Sequence, residues 1–465
     1  MSKRIILLGF VFWLIAGCAV GPDYRRPEVK APAAWRFADA EARRLVNARW
    51  WEQLGDPVLD DLIEAALQEN KDVLIAAARI EEYGGRYVAT RGELFPRAGL
   101  DAQATRQRAT EAGVSGWPAG VDNPYPTYQI YLNASWEIDL WGKLRRGTEA
   151  ARAELLARKD AHRALLLSLA ASVAGAYIDL RNYDRQLAIA RETLKTREAS
   201  LEIFRLRYEA GVISELELSQ VLSEYENARA TIPQIEKAIA QQENAVTLLL
   251  GRNPGPVQRG RSIDELALPA VPAGLPSALL ERRPDIRQAE QDLIAANARI
   301  GVARAAYFPA ISLTGTFGNA SADLTRLFTA PARIWTLGAS ITMPIFTAER
   351  TRGQVQASEA QQKQALLTYL KTVQTAFKEV EDALADQKQS RMRLDAQFRQ
   401  VNALRNYRDL AVLRYENGYS GYLEVLDAER NLFSVELNYI QTRGGLFRAL
   451  VDLYKAMGGG WTADH

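Results

Sequence analysis

The chain has 465 residues, a formal net charge of +2, 48% hydrophobic residues and 25% charged residues. This is the balance of an ordinary folded protein without a polyelectrolyte signal, which argues against nucleic acid as a partner. With two histidines, His162 and His465, and one cysteine, a single chain can assemble neither a disulfide framework nor a Cys/His zinc site.

The N-terminus reads as an export signal. Lys3 and Arg4 precede an apolar run from Ile5 to Ile15, which ends in Leu-Ile-Ala-Gly-Cys at Leu14 to Cys18. A basic start, a short apolar core and small residues describe a signal peptide over residues 1–17, too short to span a bilayer comfortably. Ile-Ala-Gly-Cys resembles the lipobox of bacterial lipoproteins. The resemblance implies cleavage before Cys18, which would then carry an N-acyl chain (typically palmitate) and an S-diacylglycerol group. Each buried CH₂ of such chains stabilises membrane residence by about 0.8 kcal/mol. Ala19 stands where an Asp would retain such lipoproteins in the inner membrane, so the outer membrane is expected.

The segment GPDYRRPEVKAPAAW that follows is punctuated by prolines and is expected to run extended as a tether. Trp35, Trp50 and Trp51 are expected to pack against a helical body. A helix is predicted from about Asp60 to Arg91, with apolar positions at Leu62, Ala66, Leu67, Val73, Ala77 and Ile80.

At Phe95-Pro96 the period changes to two. Ala98, Leu100, Ala102 and Ala104 alternate with Gly99, Asp101, Gln103 and Thr105, and after a Gly/Pro/Asn-rich loop the alternation returns from Tyr128 to Leu140. These are predicted strands. From about Lys143 to Arg207 the pattern is helical, with Leu166, Leu169, Val173, Ala176, Leu180, Tyr183, Leu187, Ala190 and Leu194 at alternating spacings of three and four. This is the spacing of helices packed in a coiled-coil manner. A returning helix is predicted from Ser214 to Leu250, with a kink or break at Pro233.

A Pro/Gly-rich connector spans Arg252 to Pro284. Its Arg282, Arg283, Pro284 and Asp285 are read as structural, because Pro suits a first helical position and Asp favours the N-terminal dipole. Then the first half repeats. Asp72 to Phe95-Pro96 matches Asp285 to Phe308-Pro309, strands are predicted around Ile311–Phe317 and Trp335–Met343, a long helix from Ala348 to Tyr415, and a return from Tyr422 to Met457. The segments are therefore a signal peptide at 1–17, a tether at 18–59, a first repeat at 60–251, the connector at 252–284, a second repeat at 285–457 and a tail at 458–465.

Both long helices end in the same words: RYEAGVISELEL from Arg207 and RYENGYSGYLEV from Arg414. Gly211 and Gly418 sit where a helix C-terminus needs a left-handed residue. Ser214 with Glu217 forms an S-x-x-E capping box for the return, and Ser420 is the expected second cap. Each copy reads as the tip of an antiparallel helical hairpin.

The predicted strands are long enough to cross a bilayer when tilted, with lipid on one face and water on the other. Four strands cannot close a barrel, and open edges in lipid cost several kcal/mol per unsatisfied group. Several chains must then share one barrel. A non-conducting structural spacer of the outer membrane is the competing reading, and membrane-crossing alternation speaks against it. An enzyme is not expected, since no G-x-S-x-G, P-loop or H-E-x-x-H occurs.

LIAGC at Leu14, WWEQLGDPVLDDLIEAALQENKDV, WEIDLWGKLRR at Trp136, RYEAG at Arg207, LPSALLERRPDIRQAE at Leu275, ARIGVARAAYFPAISLTG at Ala298 and GYLEVLDAERNL at Gly421 together resemble the TolC-like outer membrane efflux factors of Gram-negative bacteria, most closely the lipoprotein branch that includes the NodT and OprM proteins. The resemblance covers nearly the whole chain. It implies a mainly α fold with a membrane β-barrel portion: a homotrimer with a twelve-stranded barrel, a periplasmic α-helical barrel and an equatorial belt to which the 18–59 segment contributes. It further implies a periplasmic adaptor and an inner-membrane pump, of the RND type, exporting drugs or other small toxic solutes, with no cofactor beyond the lipid on Cys18.

By the same resemblance the periplasmic end is pinched shut by the second hairpin, with Tyr415 holding the closed state and Glu424 and Asp427 ringing the pore. Arg207, Gly211, Arg414 and Gly418 at the tips are expected to meet the adaptor. Glu424 stands where some members have Asp, and Ser420 where some have an Arg that pairs across chains. Three copies of two acids about an axis are expected to favour cations and to raise each other's pKa.

Overall fold

A computed structural model describes residues 19–29, 31–37, 49–112, 122–269 and 276–459. Cys18, the signal peptide and all but the first two residues of the tail lie outside them. The elements are α1 (Pro57–Glu69), α2 (Lys71–Gly92), β1 (Arg97–Gln107), β2 (Tyr125–Ile138), α3 (Lys143–Glu209), α4 (Glu215–Leu249), α5 (Pro276–Arg282), α6 (Pro284–Ala305), β3 (Ala310–Ser321), β4 (Arg333–Thr342), α7 (Arg350–Glu416) and α8 (Tyr422–Ala456). Two compact units divide them: Met1–Glu28 with Arg79–Arg158 and Ala289–Tyr369, and Val29–Ala78 with Lys159–Gln288 and Leu370–His465. The duplication is literal in length, since α3 and α7 are each 67 residues and α4 and α8 each 35.

One local expectation is corrected and two are refined. The helix predicted over Asp60–Arg91 is two helices, because Asn70 is extended (ψ 131°) and its side chain accepts from the amides of Asp72 at 2.8 Å and Val73 at 3.2 Å, capping a new start. Pro233 neither breaks nor ends α4, which continues through it. One lost backbone bond is offset by burial of Ala228 and Ile235 on either side. The connector contains a helix, α5. Pro284 does open α6.

In the first unit the four strands form one antiparallel sheet in the order β1-β2-β3-β4. Its register aligns like with like. Leu100, Leu132, Phe317 and Trp335 lie directly opposite one another across the four strands, as do Ile138, Ile311 and Ile341. On the alternate face Asn133, Thr316 and Thr336 form one row and Glu137, Ser312 and Ser340 another. The apolar row is open to solvent in the single chain, with Leu100 65%, Leu132 55%, Phe317 57% and Trp335 68% exposed. β1 and β4 are the unpaired edges. Residues 19–28 follow no regular structure and lie along the helices of this unit, where Asn297 donates to the Pro22 carbonyl at 2.8 Å and Tyr24 donates to Glu290 at 3.1 Å.

The second unit is built from packed helices. Ile189 and Ala190 of α3, Ile235 of α4 and Phe433 and Ile440 of α8 form one cluster. Trp35, Trp50 and Trp51 are buried here as expected, with Trp50 stacked on Tyr454 at 4.9 Å and Trp35 edge-on to Phe377 at 6.0 Å. α3 is apolar enough over part of its length to cross a membrane, but most of that stretch is buried in its own chain, as in a core helix. The buried Arg283 joins three elements through Asp285 at 2.6 Å, Glu379 at 2.7 Å and the Ala456 carbonyl at 2.9 Å.

Candidate functional site at the hairpin tips

Both tips close alike. At the first, the Val212 amide donates to the Arg207 carbonyl at 2.8 Å and Gly211 to Tyr208 at 2.9 Å; at the second, Tyr419 donates to Arg414 at 2.8 Å and Gly418 to Tyr415 at 3.0 Å. This paired pattern is a Schellman closure. It requires the left-handed backbone that Gly211 (φ +71°) and Gly418 (φ +74°) supply.

The returning helices start differently. Ser214 caps α4, and Glu217 reaches back to the Ser214 amide at 2.9 Å, completing the capping box. Those bonds, backbone first, hold the exposed Glu217 carboxyl below its ordinary range. Ser420 is not the second cap. Gly421 occupies that position and offers no side-chain bond, while the Ser420 hydroxyl is buried without a hydrogen-bond partner. Glu424, the counterpart of Glu217, is thereby released, and lies 3.7 Å from Arg414 at the end of α7.

Beneath the tips, Leu201 and Phe204 of α3, Val221 of α4, Ala411 of α7 and Tyr422, Val425, Leu426 and Ala428 of α8 form one buried cluster that joins the two hairpins. Tyr415 packs edge-on to Tyr422 at 5.0 Å, and Phe204 meets Tyr422 at 4.2 Å. Arg207 of the first tip donates to the Tyr415 hydroxyl of the second at 2.6 Å, with its guanidinium 5.8 Å from the Tyr415 ring centre. Burial pushes the Tyr422 phenol up to about 12.

Glu424 and Asp427 share a helix face, as their spacing predicts, and line one groove of about 980 Å³ with Glu224, Gln220 and Ser219 of α4. Neither acid stands bare. Asp427 accepts from Arg430 at 2.8 Å and from Asn431 at 3.1 Å. The structure thus gathers Arg207 with Tyr415, and Arg414 with Glu424, while Gly211 and Gly418 serve the backbone alone.

Sequence reasoning passed over Arg430, although the three-residue step from Asp427 to Arg430 is a readable helix-face pair. It also missed Arg197, which is buried, forms an ion pair with Glu224 at 3.1 Å and lies 5.3 Å from the Phe433 ring centre. No local signal marks that contact, because its partners come from two other helices. Among the described residues, no group of three or more His, Cys, Asp or Glu is placed to hold a metal ion.

Comparison with known proteins gives one answer. The profile of the outer membrane efflux protein family matches residues 62–252 and 275–459. The probable efflux pump outer membrane protein TtgC of Pseudomonas putida is 37% identical over 468 residues, covering 99% of this chain and 96% of its own. The Neisseria gonorrhoeae MtrE outer membrane channel, solved in an open state, superposes with a TM-score of 0.85 at 33% identity, covering 95% of this chain and 98% of its own. The Campylobacter jejuni CmeC outer membrane channel shares the fold at a TM-score of 0.92 and 24% identity, with 96% of each chain covered. These matches run through both repeats, and the chain is a member of the outer membrane efflux protein family.

Proposed function

We propose that three copies of this chain share one axis as a passive duct, closing a twelve-stranded barrel in the outer membrane and carrying drugs or other small toxic solutes outward from an RND-type inner-membrane pump through a periplasmic adaptor. The observation that supports this most is the sheet. β1 and β4 run antiparallel to each other in one copy, so β4 of one copy can pair with β1 of the next in the same antiparallel sense. An even number of strands then closes without an edge. The apolar rows from Trp335 to Ile341 cover about 20 Å along the strand, and in a closed barrel they form the band that meets lipid. The hydroxyl rows then face the lumen.

The helical hairpins form the periplasmic part of the duct. Tyr415, Glu424 and Asp427 serve at its closed end, and Arg207, Gly211, Arg414 and Gly418 present the tips to the adaptor. Cys18 carries the lipid that anchors each subunit, the acyl chains adding to a barrel already held in the bilayer. Such a duct catalyses no reaction, and substrate choice belongs to the pump.

Single-channel recording in planar bilayers tests the reading. Detergent-purified protein with tips loosened by Tyr415→Phe, which removes the bond to Arg207, is expected to give discrete ion-conducting steps, and to migrate as a trimer in detergent. A monomer without conductance in either form sinks the duct and favours the spacer.

A further inference from the structure

Three carboxylates line the groove between α4 and α8, and each is met by an arginine from a different helix. Arg197 of α3 lies 3.1 Å from Glu224, Arg414 of α7 lies 3.7 Å from Glu424, and Arg430 of α8 lies 2.8 Å from Asp427. The other residues lining the groove are neutral: Ser219, Gln220, Ser223, Gly421 and leucines. Each acid that lines the groove therefore has an arginine beside it, and of the three arginines Arg430 lines the groove itself.

The pairs differ in what they present to water. The Arg197 side chain is 3% exposed and sits behind Glu224. Arg430 and Asp427 are 59% and 43% exposed, and Arg414 and Glu424 are 56% and 31%. Exposed pairs of this kind contribute little to folding, so their consequence is the field they set. An acid with a cation at contact distance projects only a dipole, whose effect fades well within a screening length of about 8 Å at physiological salt. An acid that has lost its arginine projects a full charge, repeated in each copy around the axis.

We propose that Arg430 and Arg414 are selectivity-determining residues. They cancel the carboxylates at the periplasmic mouth, so that it passes neutral and zwitterionic solutes without the cation preference that bare acids would impose. The proposal deepens the duct reading and rests on it.

Reversal potentials of the full-length protein in planar bilayers under a KCl gradient test it, on the Tyr415→Phe background. That background is expected to discriminate little between K⁺ and Cl⁻. Arg430→Gln is expected to shift the permeability ratio toward K⁺ by roughly tenfold, Arg414→Gln alone to shift it the same way from a different helix, and Arg430→Lys to leave it unmoved. The shift should shrink near 1 M salt, where screening acts within about 3 Å. Ratios unchanged in both Gln variants overturn the proposal while leaving the duct intact. So does a background already strongly cation-selective that loses its preference with Asp427→Asn. Silence from every variant, background included, overturns the duct itself.

Discussion

The two hairpin tips are copies that have diverged at one decisive position. Each closes its outgoing helix with the same Schellman bonds around a left-handed glycine, and each returning helix carries a glutamate at its third residue. Where the first tip has Ser214, the second has Gly421. A serine at the cap engages Glu217 in reciprocal bonds to the backbone, so that carboxylate is consumed in ending a helix. A glycine there has nothing to exchange, and Glu424 turns instead toward Arg414 and the groove. One side chain in a repeat thus decides whether an acid is structural or available. A second divergence lies deeper, where Leu222 of α4 has Glu429 as its counterpart in α8.

The largest expected effect comes from what the tips share. Phe204 of the first hairpin is 3% exposed and touches Tyr422 and Tyr415 of the second. Phe204→Ala is expected to cost about 3–5 kcal/mol, read as a lowered melting temperature in detergent, and to loosen both tips together under limited proteolysis. Loosening of one tip alone would mean that the hairpins are not joined there.

The next effect separates the copies. Ser214→Ala should cost about 1 kcal/mol, whereas Gly421→Ser should add a few tenths of a kcal/mol by building the missing capping box. The decisive outcome is for Glu424: a crystal structure of Gly421→Ser should show its carboxylate accepting from the amide of the new cap, as Glu217 does at the first tip, rather than facing Arg414. An unmoved Glu424 would show that the cap does not control it.

The smallest effect tests the deeper divergence. Burial raises the Glu429 carboxyl pKa, Arg197 and Arg408 lower it, and Glu224 raises it, for a net upward shift. Because the folded protein then holds this proton more tightly than the unfolded chain, the contribution to stability is fully present below the ordinary glutamate value. It is lost as pH rises through the raised one. Glu429→Gln is expected to flatten this part of the profile and to match or exceed the parent's melting temperature at neutral pH. An unchanged slope across mildly acidic pH would remove Glu429 as its source.

Much of this was legible residue by residue. The period-two stretches announced strands with one apolar face, and RYEAG and RYENG announced two helix ends closed by glycine. Glu424 and Asp427 at a three-residue spacing announced a shared face. What escaped reading was set by competition between neighbours. Asn70 took the amides that would have continued a helix, and Ser420 lost the cap to the glycine beside it. Arg197 escaped for a different reason, since Glu224 and Phe433, the groups it meets, come from two other helices.

By itself the sequence determined the duplication, the periodicities and the hairpin ends, because these depend on side-chain spacing and on backbone conformations open to few residue types. The tertiary structure alone decided the strand register that lines up Leu100, Leu132, Phe317 and Trp335, the bridge from Arg207 to Tyr415, and which carboxylates are left to face a groove. Those depend on which distant segments come within a few ångströms of one another, and local spacing carries no record of that.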